Sequence, residues 1–131
     1  VYCIDTGLRN ANTASFSEDL GKQAENVVLI ELMRRKLETE TIFYSKEKHE
    51  LDFVVVENCQ TKVAIQVSYS NLETSELIER EIGGLNEFLE SHNVQEALLL
   101  TKNLEIRPEN SPIKINPKIR FMPIWKFLLN D

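Results

Sequence analysis

The sequence is poor in the residues that mark several classes of protein. Its 131 residues include two cysteines, four glycines, four prolines and one tryptophan. Because Cys3 and Cys59 lie far apart, without the spacing of metal ligands, we expect two free thiols in a reducing cytoplasm. No apolar run approaches the roughly 20 residues that a membrane helix needs, so we expect no membrane partner. No GxxxxGKS or GxxxxGKT phosphate loop is present, so the chain alone is expected not to hydrolyse ATP.

Positive charge is also scarce. Lysine and arginine total 15 against 21 aspartates and glutamates, which gives a net charge of −6. This balance argues against a protein that holds nucleic acid through its overall electrostatic field, although it is compatible with a local basic groove. The basic candidates for such a groove are Arg34, Arg35, Lys36, Lys114, Lys118 and Arg120. A helix end and an ordinary loop explain these residues more simply.

The composition and the hydrophobic pattern of residues 1–131 are typical of one globular domain. The hydrophobic content of 42% and the charged content of 27% are ordinary for a soluble fold. Periodicity predicts two long helices, at about 17–36 and 74–92. Alternating or continuous apolar runs predict strands at 1–5, 41–45, 50–57, 62–69, 96–101 and 119–124, followed by a short helix from Trp125. The fold class is therefore α/β. Gly83-Gly84 inside the second helix predicts a kink or a close backbone contact.

The stretch from residue 49 to residue 70 is the most informative part of the chain. It predicts two strands and a tight connection, with Asp52 as the one acid among apolar neighbours in the first strand. A carboxylate in such a place is costly unless it is paired or bound to a metal. Gln66 and Ser68 lie two residues apart in the second strand, so their side chains share a face.

Whether Asp52 joins this polar pair depends on the length of the connection. A three-residue connection at 58–60 sets Asp52 opposite Gln66, and a two-residue connection sets it opposite Ile65 on the other face. Grouping the polar side chains costs less, so we predict the three-residue connection. Glu25, at the edge of the apolar stripe of the first helix, is a further candidate, with an exposed edge carboxylate as the alternative interpretation.

Three segments carry a family resemblance: YCIDTGLRN at 2–10, LGKQAENVVLIELMRR at 20–35, and YSKEKHELDFVVVENCQTKVAIQVSYS at 44–70. They contain an Asp-Thr-Gly-Leu-Arg motif from Asp5, a Glu-Asn pair at Glu25, and a His-Glu-hydrophobic-Asp-Phe motif from His49. The chain resembles the uncharacterised C-terminal domain of bacterial and archaeal AAA-type ATPases, within the restriction-endonuclease-like PD-(D/E)XK superfamily.

The resemblance implies a mixed β-sheet with helices on both faces. It further implies that the chain is a C-terminal fragment of a longer ATPase, with the N-terminal ATPase module of the same protein as a partner and DNA as a candidate ligand. In the superfamily an Asp and a Glu hold Mg²⁺, and a Lys helps to activate the attacking water. Carried onto this chain, the resemblance gives a remnant catalytic site of Glu25, Asp52, Gln66 and Ser68, of which the first three are the metal ligands.

The chain departs from the family pattern where chemistry occurs, because Gln66-Val67-Ser68 stands in place of Glu-x-Lys. Mg²⁺ prefers anionic oxygen ligands, so we expect its binding here to be weak or lost. Ser68 has no positive charge to stabilise a phosphate transition state.

The expected function is therefore an interaction module, for nucleic acid or for protein, with a degenerate nuclease site. The alternative is an active Mg²⁺-dependent endonuclease with a rearranged site, in which Lys46, Lys48 or Arg80 replaces the missing lysine. Lys62 shares the face of Gln66 but lies roughly 13 Å away along the strand.

Overall fold

A computed structural model describes residues 16–44, 51–105, 108–109 and 111–129. The predicted strand at 1–5 and the motif that begins at Asp5 lie outside these residues. His49 and the candidate lysines Lys46 and Lys48 lie outside them as well.

The helices and strands of the described residues follow one another in the order that the periodicity predicts. The helices are α1 (Phe16–Arg35), α2 (Ser75–Ser91) and α3 (Ile124–Leu129). The strands are β1 (Glu40–Tyr44), β2 (Phe53–Glu57), β3 (Gln60–Val67), β4 (Val94–Thr101) and β5 (Ile119–Pro123). The predicted elements in this part of the chain are confirmed, with ends that move by no more than three residues. The helix α2 begins where Thr74 accepts a hydrogen bond from the backbone N–H of Leu77 at 3.2 Å.

The five described strands form one mixed sheet in the order β1-β2-β3-β4-β5. Strands β1, β2 and β3 pair antiparallel, and β3, β4 and β5 pair parallel. The helix α2 connects the parallel strands β3 and β4, as a parallel pair requires. The domain is therefore a mixed α/β fold, with β3 at the centre of its sheet.

Helices cover both faces of this sheet. On one face, α1 and α3 pack onto a core that includes Val28, Phe53 and Leu100. On the other face, α2 packs onto a second core that includes Ile82 and Leu99. No helix among the described residues combines the length and the apolar content needed to cross a membrane.

The connection between β2 and β3 differs from the prediction, because it has two residues rather than three. Glu57 pairs with Gln60, and the turn residues Asn58 and Cys59 have φ values of 52° and 63°. Two consecutive positive φ values are typical of the tight turns whose twist matches that of the flanking strands.

A β-bulge nevertheless restores the predicted register further along the hairpin. Val56 pairs with Thr61 but Val55 pairs with Val63, so Lys62 is the additional residue of β3. Phe53 then pairs with Ile65, as the three-residue connection would have set it. The predicted length of the connection was wrong, and the additional residue in β3 compensates for the residue that the turn lacks.

The close backbone contact predicted at the glycine pair of α2 is also wrong for Gly83. A Cβ atom built on Gly83 meets no heavy atom within 4 Å beyond its own helix and chain neighbours. Space alone therefore does not require glycine at this position.

Candidate functional site

A pocket of about 520 Å³ opens at the carboxyl end of the central strand β3. Residues 67–70 form one side of it, Lys22 and Glu25 of α1 form a second, and Arg80 and Glu81 of α2 form a third. In open α/β sheets the carboxyl ends of the strands are the usual place for a ligand. The pocket lies there because α1 and α2 cover opposite faces of the sheet and leave its end uncovered.

The structure brings Asp52 and Gln66 together beside this pocket. Asp52 directly precedes β2, and its backbone N–H donates to Gln66 Oε1 at 3.3 Å. Its carboxyl Oδ2 accepts a hydrogen bond from the backbone N–H of Val67 at 2.8 Å. The sequence therefore places the acid correctly next to the amide, although it gives the wrong connection length.

Glu25 joins Asp52 through a hydrogen bond between the two carboxyl groups. Burial raises the pKa of Asp52 from its ordinary 3.8 to about 8, and the nearby charges of Glu25 and Glu81 act in the same direction. Burial also raises the pKa of Glu25. At neutral pH Asp52 therefore keeps its proton, and the hydrogen bond between the two carboxyl groups lets the pair share it.

Glu81 is a site residue that the sequence reasoning missed. Its side chain is only 8% exposed, and its Oε2 accepts a hydrogen bond from Gln66 Nε2 at 2.7 Å. Arg80 donates to the other carboxylate oxygen at 3.1 Å. The available signal was a charge inside the apolar stripe of α2, between Ile78 and Ile82.

Ser68 lines the same pocket but makes different contacts. It is 5% exposed, its hydroxyl lies 2.7 Å from that of Ser70, and its backbone N–H donates to Leu100 O at 2.8 Å. The loop that follows holds Leu72 at a φ of 55°, where its backbone N–H donates to Ser70 Oγ at 3.3 Å. Ser68 is therefore held by a hydrogen-bonded turn and pairs with Ser70, beside the acidic network.

Basic and aromatic groups stand around the opening of the pocket. Lys22 and Arg80 line it on opposite sides, and Tyr69 is 42% exposed. The ammonium group of Lys102 lies 5.5 Å from the centre of the Tyr69 ring. Among the candidates for a migrated lysine, Arg80 reaches the pocket, where it is paired with Glu81.

The groups that the resemblance implies as Mg²⁺ ligands are engaged in hydrogen bonds within the protein. The side-chain amide of Gln66 is engaged at both ends, and the carboxyl of Asp52 is engaged by a backbone N–H and by Glu25. Over the described part of the chain, no three side chains of His, Cys, Asp or Glu form a group that could hold a metal ion. The side chains satisfy one another through hydrogen bonds and a shared proton.

The fold and the site define a mixed α/β domain with an acidic, hydrogen-bonded pocket at the end of its central strand. A family model described as "Domain of unknown function (DUF4143)" matches residues 20–127, and the chain belongs to this family. The chain is also similar to "Uncharacterized protein MJ1544" of Methanocaldococcus jannaschii, with 35% identity over 138 residues. That match takes in 98% of this chain and 29% of the relative, so the chain spans less than a third of the relative's length. No solved structure matches the chain.

Proposed function

We propose that the chain is an accessory domain of a longer P-loop ATPase, with a restriction-endonuclease-like fold whose PD-(D/E)XK site is degenerate. The mixed sheet with helices on both faces supports this proposal, as does the grouping of Glu25, Asp52 and Gln66 at the end of β3. The length of the relative leaves room for a further module in a protein of this kind.

One observation carries the proposed loss of cleavage: Gln66, which stands where the superfamily pattern has an acidic ligand, is hydrogen-bonded at both ends of its amide. Its amide donates to Glu81 and accepts from the backbone of Asp52. Two residues further along the chain, Ser68 offers a hydroxyl where the PD-(D/E)XK superfamily has the ammonium group of a lysine. A neutral hydroxyl cannot offset the charge that develops on a phosphate during cleavage.

We propose DNA as the ligand of this domain, bound beside the pocket. The support is local: Lys22 and Arg80 line the opening, and Lys102 lies over the exposed ring of Tyr69. Cations contact phosphates, and an aromatic face can stack on an unpaired base. These groups supply the local basic surface that the net charge of −6 does not.

Fluorescence anisotropy with a labelled DNA tests this proposal. We expect binding that weakens steeply with salt, and each of the changes Lys22→Gln and Lys102→Gln should lower the slope of log K against log salt by about 1. Lys114→Gln is the matched control, because Lys114 is exposed and does not line the pocket. A domain that binds no DNA at low salt would contradict the proposal and would favour a protein partner.

A second candidate function is an Mg²⁺-dependent endonuclease with a rearranged site. The observation that favours it is the presence of Glu81, an acid from α2, beside Gln66, together with the cation of Arg80. A plasmid-cleavage assay separates the two candidates. Nicking that EDTA suppresses and that Asp52→Ala abolishes would establish the endonuclease and overturn the degenerate site.

A further inference from the structure

We propose that Gln66 takes over the structural role of a bound metal ion in this pocket: its amide joins the Glu81 carboxylate of α2 to the backbone N–H of Asp52, so that the domain needs no divalent cation to hold these elements together. This inference rests on the proposed degenerate site and does not depend on DNA binding.

The first step concerns the acids that meet at the end of β3. Glu25 comes from α1, Asp52 from the start of β2, and Glu81 from α2, and the charges of Glu25 and Glu81 both act on Asp52. Carboxylates that approach one another inside a protein repel unless a cation, a proton or hydrogen-bond donors lie between them. Each of these acids therefore needs a cation, a proton or a hydrogen-bond donor beside it.

The second step concerns what Gln66 offers at that position. A side-chain amide has both a donor and an acceptor, whereas an ionised carboxylate only accepts. The Nε2 group donates to Glu81 at 2.7 Å, while Oε1 accepts from the backbone N–H of Asp52 at 3.3 Å. A glutamate here would lose the donor to Glu81 and place another negative charge beside it.

The third step concerns the remaining acids, which are also satisfied without a metal. Asp52 accepts from the backbone N–H of Val67 at 2.8 Å and shares a hydrogen bond with Glu25. Arg80 supplies the second partner of Glu81. Each carboxyl group thus has a donor from the protein, and Gln66 links the Glu81 side chain of α2 to the backbone at Asp52.

Thermal unfolding of the wild type and of Gln66→Glu, each in EDTA and in excess Mn²⁺, tests the inference. We expect Gln66→Glu to lose about 5 °C in Tm or more in EDTA, because a buried acceptor loses its donor and a like charge is added. Mn²⁺ should recover at least half of that loss, since the variant regains an anionic ligand. The wild-type Tm should change by no more than about 1 °C, the change expected from a ligand that does not bind.

Two further variants make the result interpretable. Gln95→Glu introduces the same charge at an exposed position of β4 and should leave Tm unchanged in both solutions. Gln66→Met keeps the size of the side chain without its hydrogen bonds, so it should lose stability in both solutions and gain no response to Mn²⁺. If Gln66→Glu fails to fold in either solution, Gln66→Met still tests the bridge.

The inference would be overturned if Mn²⁺ raised the Tm of the wild type as much as that of Gln66→Glu. It would also be overturned if Gln66→Met had the same Tm as the wild type. The anisotropy measurement on the wild type stays separate from this test. A domain that binds no DNA but shows the expected pattern of Tm values would contradict the proposed ligand and support the bridge.

Discussion

The substitution Asp52→Asn should make the stability of the domain less dependent on pH. In the folded protein the pKa of Asp52 is raised to about 8 by burial and by the charges of Glu25 and Glu81, whereas its ordinary value is 3.8. Between these two values the folded state keeps the proton and the unfolded state has lost it. Stability therefore falls as pH rises through this window, and the loss is complete once the folded state also releases the proton.

The size of the loss in the free energy of unfolding follows from the width of the pH range between the two pKa values of Asp52. A group that is protonated only in the folded state costs up to about 1.4 kcal/mol of stability for each unit of pH. Between pH 5.5 and pH 7.5 the wild type should lose about 2 kcal/mol by this route, because both values lie inside the window. The pKa of Glu25 is raised as well, so its contribution has the same sign.

Asparagine at position 52 imitates the protonated acid. Its carbonyl can accept from the backbone N–H of Val67, and its amide can donate to Glu25. Relative to the wild type, the free energy of unfolding of the variant should therefore rise by about 2 kcal/mol between pH 5.5 and pH 7.5.

Urea unfolding at half-unit steps from pH 4.5 to pH 8.5 measures both profiles, and Glu87→Gln, an exposed change on α2, serves as the control. A profile for Asp52→Asn parallel to that of the wild type would refute the assignment of the proton to this carboxyl pair.

Three further substitutions test other parts of the fold by calorimetry and urea unfolding. Gly83→Ala should raise the free energy of unfolding by about 0.5–1 kcal/mol, because α2 has room for the methyl group; unchanged or lower stability would contradict this. Cys59→Gly should stabilise by about 1 kcal/mol, since glycine adopts a φ of 63° without strain, and a loss would show that the thiol makes a contact of its own. Asn26→Leu should stabilise by about 1–2 kcal/mol, because the amide is 1% exposed and neither of its polar atoms has a hydrogen-bond partner among the residues that the structure describes; a loss would indicate that the amide has a partner in solution.

The sequence predicted much of the fold because the strongest patterns are local. The helical period of residues 17–36 and 74–92 and the apolar run at 96–101 correspond to α1, α2 and β4. The turn between β2 and β3 was harder, since its length and the bulge at Lys62 compensate for one another. Burial of the strands specifies register more strongly than it specifies the connection.

The candidate site was predicted only in part. Asp52 and Gln66 lie together because they belong to one hairpin, whose pairing can be read from polar positions in apolar strands. Glu81 stands out in the sequence only as a charge inside the apolar stripe of α2; it was missed because its contact with Gln66 depends on how α2 crosses the sheet. The hydroxyl of Ser68 pairs with Ser70 because the chain turns directly after β3, a detail of loop geometry that residue spacing does not reveal.

Diffraction from a crystal soaked in Mn²⁺ tests the account most directly. The account predicts no anomalous density between Glu25, Asp52 and Gln66, with the amide still bonded to Glu81 and the Val67 N–H still donating to Asp52. A manganese peak at that place, with the amide turned away and carboxylate oxygens about 2.2 Å from the ion, would contradict it.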